Sequence, residues 1–187
     1  MRIRPLALAV LLALPAPLAA QGAGQRFGAI IGGAMLSDIS DYYTSTDSRW
    51  GFTGGFLVGM NHGQTASALE AIYVQKGGDE AGLDYIEVPL TFGAAMPVSQ
   101  GAGRVRLYGG VAAAFKVSCD GPDFACDQAK GTEWTLPFGL QFARVAGTGF
   151  FGLDIRYALP LSDAFDNLAA SNRAWYFRFF FGKAMGT

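Results

Sequence analysis

One histidine, two cysteines and a charged fraction of only 16% set the first limits on this chain of 187 residues. With His62 alone, a multi-histidine metal centre is excluded, and any acyl-transfer or proteolytic site built on a histidine base would have to use that single residue. Charge is scarce against the roughly 25% usual for soluble domains. Long apolar runs are missing too: beyond the first twenty residues no stretch approaches the ~18–20 apolar residues that a membrane helix needs. The hydrophobicity is therefore dispersed. A net charge of −1 and the lack of a basic cluster exclude nucleic acid as a partner.

The N-terminus has the pattern of a secretory signal peptide: Arg2 and Arg4, an apolar run over residues 6–18, then Ala19 and Ala20 before Gln21. Cleavage is expected after Ala20, leaving residues 21–187 as one domain. Pro15 and Pro17 interrupt the apolar run, which is too short for a membrane span.

What the remainder does have is rhythm. Amphipathic, strand-like segments are joined by connections that alternate long and short. The long ones fall near residues 37–49, 76–82, 118–130 and 162–172, and the short ones near 61–63, 98–103 and 144–147. Eight strands with tight turns at one end and long loops at the other predict an all-β fold, an eight-stranded antiparallel up-and-down transmembrane barrel.

Each segment presents two unlike faces. In the fifth, residues 104–117, Val105, Leu107, Val111, Phe115 and Val117 oppose Arg104, Arg106, Tyr108, Ala112, Ala114 and Lys116; period two puts the two sets on opposite sides of a sheet. The fourth sets Ile86, Val88, Leu90 and Phe92 against Tyr85, Glu87 and Thr91. The sixth sets Trp134, Leu136, Phe138 and Leu140 against Glu133, Thr135, Gly139 and Gln141. In the seventh, Phe151, Leu153, Ile155 and Tyr157 oppose Asp154 and Arg156; in the eighth, Trp175, Phe177, Phe179 and Phe181 oppose Tyr176 and Arg178. The first three, near residues 26–36, 50–60 and 65–75, are less regular, with Leu57 and Ile72 on the inward side. A bulky face toward hydrocarbon and a face of Gly, Ala and isolated charges toward a tight lumen fit a barrel in lipid. Trp50, Trp134 and Trp175 stand next to long loops, where an interfacial girdle would place them. Pro89 and Pro137 cannot donate to a ladder and are expected at bulges or bends.

Residues 69–77, Leu-Glu-Ala-Ile-Tyr-Val-Gln-Lys-Gly, followed by Leu-Asp-Tyr-Ile-Glu-Val-Pro-Leu at 83–90, resemble the outer membrane protein beta-barrel domain family that includes PorT-like proteins. Leu107-Tyr108-Gly109-Gly110 and the run from Leu153 to Leu161 are similar to that family's later strands. The resemblance implies a fold and a compartment, the cell outer membrane; a few members are tied to secretion or gliding machinery. It also implies outer-membrane lipid and the barrel assembly machinery as partners. One departure is the C-terminus: such barrels commonly finish on an aromatic residue, whereas here six residues follow Phe181.

Inward charges are the candidate site. Glu70, Asp154, Arg156 and Arg178 fall near mid-height; Glu87, Lys116 and Glu133 lie nearer the outer mouth, and Arg104 and Arg106 nearer the periplasmic end. A lone carboxylate in such an interior costs several kcal/mol, so pairing with guanidinium groups is expected. The network so defined comprises Glu70, Glu87, Arg106, Glu133, Asp154, Arg156 and Arg178, and it would plug the lumen; an ion-conducting path is the competing reading.

His62, in the turn Asn61-His62-Gly63, has Thr65 and Ser67 nearby, but a periplasmic turn is the wrong end for acting on lipids of the outer leaflet. The expectation is a non-enzymatic protein, with no cofactor and no metal. Cys119 and Cys126 bracket six residues of the third long loop, and export through an oxidising compartment favours a loop-closing disulfide; nearby Asp120, Asp123 and Asp127 make a metal site the sharper alternative. The long loops carry ten carboxylates, from Asp38 to Asp166, against Arg49, Lys76, Lys130 and Arg173, an acidic rim. Asp41, Tyr42 and Tyr43 form the candidate contact surface for a surface or periplasmic protein. Beside the plugged barrel stand a small solute-permeable pore, a lipid-modifying enzyme and a soluble lipocalin-like carrier with its faces reversed.

Overall fold

A wall whose outer side meets hydrocarbon can leave no hydrogen-bonding edge unpaired. The computed structural model, which describes residues 25–40, 48–78, 81–98, 103–165 and 170–185, meets this requirement by closure. Its strands are β1 (Gln25–Ser40), β2 (Arg49–His62), β3 (Thr65–Gly77), β4 (Gly82–Val98), β5 (Gly103–Asp120), β6 (Thr132–Ala146), β7 (Gly149–Pro160) and β8 (Ser171–Met185). Each pairs antiparallel with its neighbour in the chain, and β8 returns to pair with β1, so the sheet is a closed barrel. The signal-peptide segment and Asp41, Tyr42 and Tyr43 lie outside the described residues.

The stagger fixes the bore. Following cross-strand partners once around, Arg26 leads through Met60, Ser67, Phe92, Gly109, Phe138, Tyr157 and Trp175 to Leu36, ten residues along β1 from the start. With strands about 4.8 Å apart and rising about 3.3 Å per residue, this stagger over eight strands corresponds to a tilt of roughly 40° and a wall radius of roughly 8 Å. Such an interior is narrow enough for side chains to span.

The alternation places them as expected. Leu107, Phe138, Phe177 and Phe179 are exposed on the outer surface, as are Trp50, Trp134 and Trp175; Leu57, Ile72, Tyr108, Arg156 and Arg178 are buried within. Two-residue turns join β2 to β3 and β6 to β7, with Gly63 and Gly147 at φ +66° and +61°, the left-handed region that glycine enters at least cost.

Four local details differ from the sequence reading. β3 runs on to Gly77 and β8 begins at Ser171, which brings Lys76 and Asn172 out of the loops and into the wall. The third long loop contains a short helix, α1 (Asp123–Gln128). β8 continues to Met185, so the residues after Phe181 are largely strand. Neither proline makes a bulge: Leu69↔Leu90 and Ile72↔Glu87 keep one register across Pro89, as Gly109↔Phe138 and Ala112↔Thr135 do across Pro137. The ladder simply lacks pairs there, on the β3 side of Pro89 and the β5 side of Pro137, because a missing N–H costs a bond without requiring an extra residue. The one register shift between β4 and β5 falls at Asp84/Tyr85.

Candidate functional site

Inward parity on β3, β5, β7 and β8 gathers five polar side chains at mid-height into a closed ring of hydrogen bonds. Glu70 accepts from Arg156 Nη2 through Oε1 and from Arg178 Nη1 through Oε2 at 3.0 Å. Arg178 Nη2 donates to Asp154 Oδ2 at 2.8 Å, Tyr108 donates its hydroxyl proton to Asp154 Oδ1 at 2.7 Å, and Arg156 Nε donates to the Tyr108 hydroxyl oxygen at 2.9 Å, which returns to the start. β3 and β7 lie four strands apart in a ring of eight, diametrically opposite, so the Glu70–Arg156 pair crosses the lumen from wall to wall.

Toward the loop end the pattern repeats with other partners. Lys76 Nζ lies 2.9 Å from Glu87 Oε2, which also accepts from the Tyr176 hydroxyl at 3.0 Å; Tyr176 reaches it from β8, again across the full bore. Glu133 accepts from the Tyr85 hydroxyl and from Asn172 Nδ2 at 2.7 Å. Aromatic faces link the tiers: Arg106 and Arg156 lie over Tyr108, Arg178 over Tyr176 and Lys76 over Tyr85, at 4.9 to 5.6 Å from the ring centroids. Cations over desolvated rings add about 2 kcal/mol each. The result is a continuous column from Arg106 to Glu133, in which the buried charges are four carboxylates, Glu70, Glu87, Glu133 and Asp154, and four cations, Lys76, Arg106, Arg156 and Arg178.

The seven sequence-derived network residues thus occupy the lumen in three situations. Glu70, Asp154, Arg156 and Arg178 form one ion-pair ring, and Glu87 pairs with Lys76. Glu133 and Arg106 form no ion pair among the described residues. Glu133 is held by neutral donors, and Arg106 Nη2 donates to Thr91 Oγ1 and Thr91 O at 3.0 and 3.3 Å. Lys116 leaves the lumen for the loop above, where its Nζ donates to the carbonyls of Cys126 and Ala129. The sequence reading missed Lys76, Asn172 and the roles of three tyrosines. Lys76 had a signal, since it continues the even-numbered inward set Glu70, Ile72, Val74.

At the loop end two connections fold over the bore. Ala129 bridges to Phe165, Lys130 N donates to Ala164 O at 2.8 Å, and Ala164 N to Ala170 O at 2.7 Å. Ala129, Ala164, Phe165 and Ala170 are buried with Met35, Val74 and Leu83 in one apolar cluster. Cys119 and Cys126 form a disulfide across the loop that holds α1; closing so short a loop contributes roughly 2–3 kcal/mol in the chain-entropy model. His62 is exposed at the end of β2, at the opposite end of the barrel, and Thr65 Oγ1 donates to its carbonyl rather than to its ring.

The chain is similar to one known family in sequence and to solved barrels in fold. The family model described as outer membrane protein beta-barrel domain matches residues 6–179. Among solved structures, Neisserial surface protein A (NspA) superimposes with a TM-score of 0.57 at 12% identity, over 88% of this chain and 100% of that one. Outer membrane protein W of E. coli superimposes with a TM-score of 0.51 at 14% identity, over 89% and 100%. No curated protein matches the chain in sequence.

Proposed function

This chain belongs to the outer membrane protein beta-barrel domain family, and we propose that within the outer membrane it is a plugged, non-enzymatic barrel that acts through its surfaces rather than through a channel. The wall-to-wall bonds Glu70–Arg156 and Glu87–Tyr176 carry this reading. A solute would have to break both tiers and desolvate their charges, at several kcal/mol for each group left unpaired. The apolar cluster under the loops adds a second barrier. In this reading residues 1–20 direct export and are removed after Ala20, the assembly machinery inserts the mature chain into outer-membrane lipid, the long loops face outward, and the loop bearing Asp41, Tyr42 and Tyr43 contacts a surface partner.

Purified barrel reconstituted in planar bilayers is expected to leave conductance at the level of the bare membrane. Discrete conductance steps that scale with protein would make the chain a pore. Photocross-linking from Tyr42 in native membranes tests the surface role separately; capture of nothing beyond lipid would remove it.

A further inference from the structure

Below the ring, toward the two-residue turns, the packing of the lumen stops and a cavity of ≈ 530 Å³ begins. Its walls are of two kinds. Phe27, Leu57, Phe150 and Phe180 give it an apolar lining, while Arg104 and Arg106 from β5 and Lys183 from β8 supply its cations. No aspartate or glutamate lines it among the described residues. Arg106 is the unusual group. It is 6% exposed and is the one buried cation without a carboxylate within ion-pair distance among the described residues; its Nη2 is bonded to Thr91 and Ala66, and its buried Nε has no acceptor among the described residues. A guanidinium so placed keeps its positive charge uncompensated and has N–H groups left for a planar or tetrahedral anion. The size falls within the ~300–1,000 Å³ of small-molecule sites, and apolar walls with a few convergent polar groups are the usual make-up of such sites.

We infer that this vestibule binds an amphipathic anion, a single carboxylate or phosphate head on an aliphatic tail, with the head on Arg106 and Arg104 and the tail against Phe27, Phe150 and Phe180. In an outer-membrane barrel the turn end faces the periplasm, so the anion enters from the periplasm or the inner leaflet. The inference goes beyond the plugged-barrel reading and does not depend on it: an anion can occupy the vestibule whether or not the ring above conducts.

Equilibrium dialysis against the barrel in phosphatidylcholine nanodiscs tests it, with octanoate, octyl phosphate, octanol and octyltrimethylammonium as probes and empty nanodiscs as the blank. Octanoate or octyl phosphate should bind saturably, one per barrel, at least tenfold tighter than octanol or the cation. The stronger of the two anions identifies the head as carboxylate or phosphate. Ala143→Phe, which fills the cavity, and Arg106→Met should each weaken that binding at least tenfold, and Arg104→Glu at least threefold. Arg104 is partly exposed, so its variant keeps the test open if Arg106→Met fails to fold, and heat-modifiable gel mobility reports folding in each case. Uptake of octanol equal to that of the anions, or anion binding untouched by both Ala143→Phe and Arg104→Glu, would overturn the inference.

Discussion

Glu70→Ala should destabilise the folded barrel by about 3–5 kcal/mol, the range for removing one partner of a buried ion pair. Among the described residues Glu70 is the only carboxylate that touches both Arg156 and Arg178, and the paired side chains are at most 2% exposed. Its loss leaves two guanidiniums facing one carboxylate in a buried interior. The control is the double variant Glu70→Met/Arg156→Met. It removes one charge of each sign and keeps the Arg178–Asp154 pair and the Tyr108–Asp154 bond, so it should cost far less than the single change. Urea titration of the barrel in lipid vesicles measures both. A loss under about 1 kcal/mol for Glu70→Ala would mean that water reaches the ring and that its charges are screened.

A second large effect is expected from a single methyl group. At Gly110, which faces inward, an added Cβ would lie 2.1 Å from the Leu90 carbonyl oxygen and 2.9 Å from Thr91 Cα, both backbone atoms of β4. At its neighbour Gly109, which faces outward, the nearest atom would be 3.9 Å away. Gly110→Ala therefore forces two strands of the wall apart and should cost on the order of 3 kcal/mol or more, at or beyond the upper range for overpacking. Gly109→Ala should be neutral or stabilise by up to about 1 kcal/mol through the unfolded chain. Unfolding midpoints of the two variants, which have the same composition, decide the matter. Equal midpoints would show that the wall yields at Gly110.

That contrast marks what could be read from residue order alone. Period-two alternation assigned the faces of β4 to β8, because a side chain's facing is a local property of the strand. The same parity put Glu70, Asp154, Arg156 and Arg178 inside. Which charges meet was a different matter: Glu70 joins Arg156 because β3 stands opposite β7, and that depends on strand number and stagger together. Residue order alone presents the inward glycines as lumen-filling small residues, whereas Gly110 is required by the approach of two backbones. Tyr108 and Tyr176 sat on the inward face from the outset, yet their part in joining the tiers depends on hydroxyl positions across the bore. Lys76 and Asn172 belong to strand ends, the feature of a strand that residue order determines least.

The ring also has a place in time. Its bonds join residues 86 and 108 positions apart, Glu70 with Arg156 and with Arg178, and no shorter piece of the chain holds all of its members. A hairpin, or even five strands in succession, lacks at least one of those partners and leaves the rest to water as ordinary solvated charges. Only when the last strand reaches the first do they lose their hydration together, so the ring acts as a latch set by completion of the circle. Weakening it should quicken opening and leave the pace of insertion nearly unchanged, which comparing unfolding and refolding rates of Glu70→Ala with those of the parent would reveal.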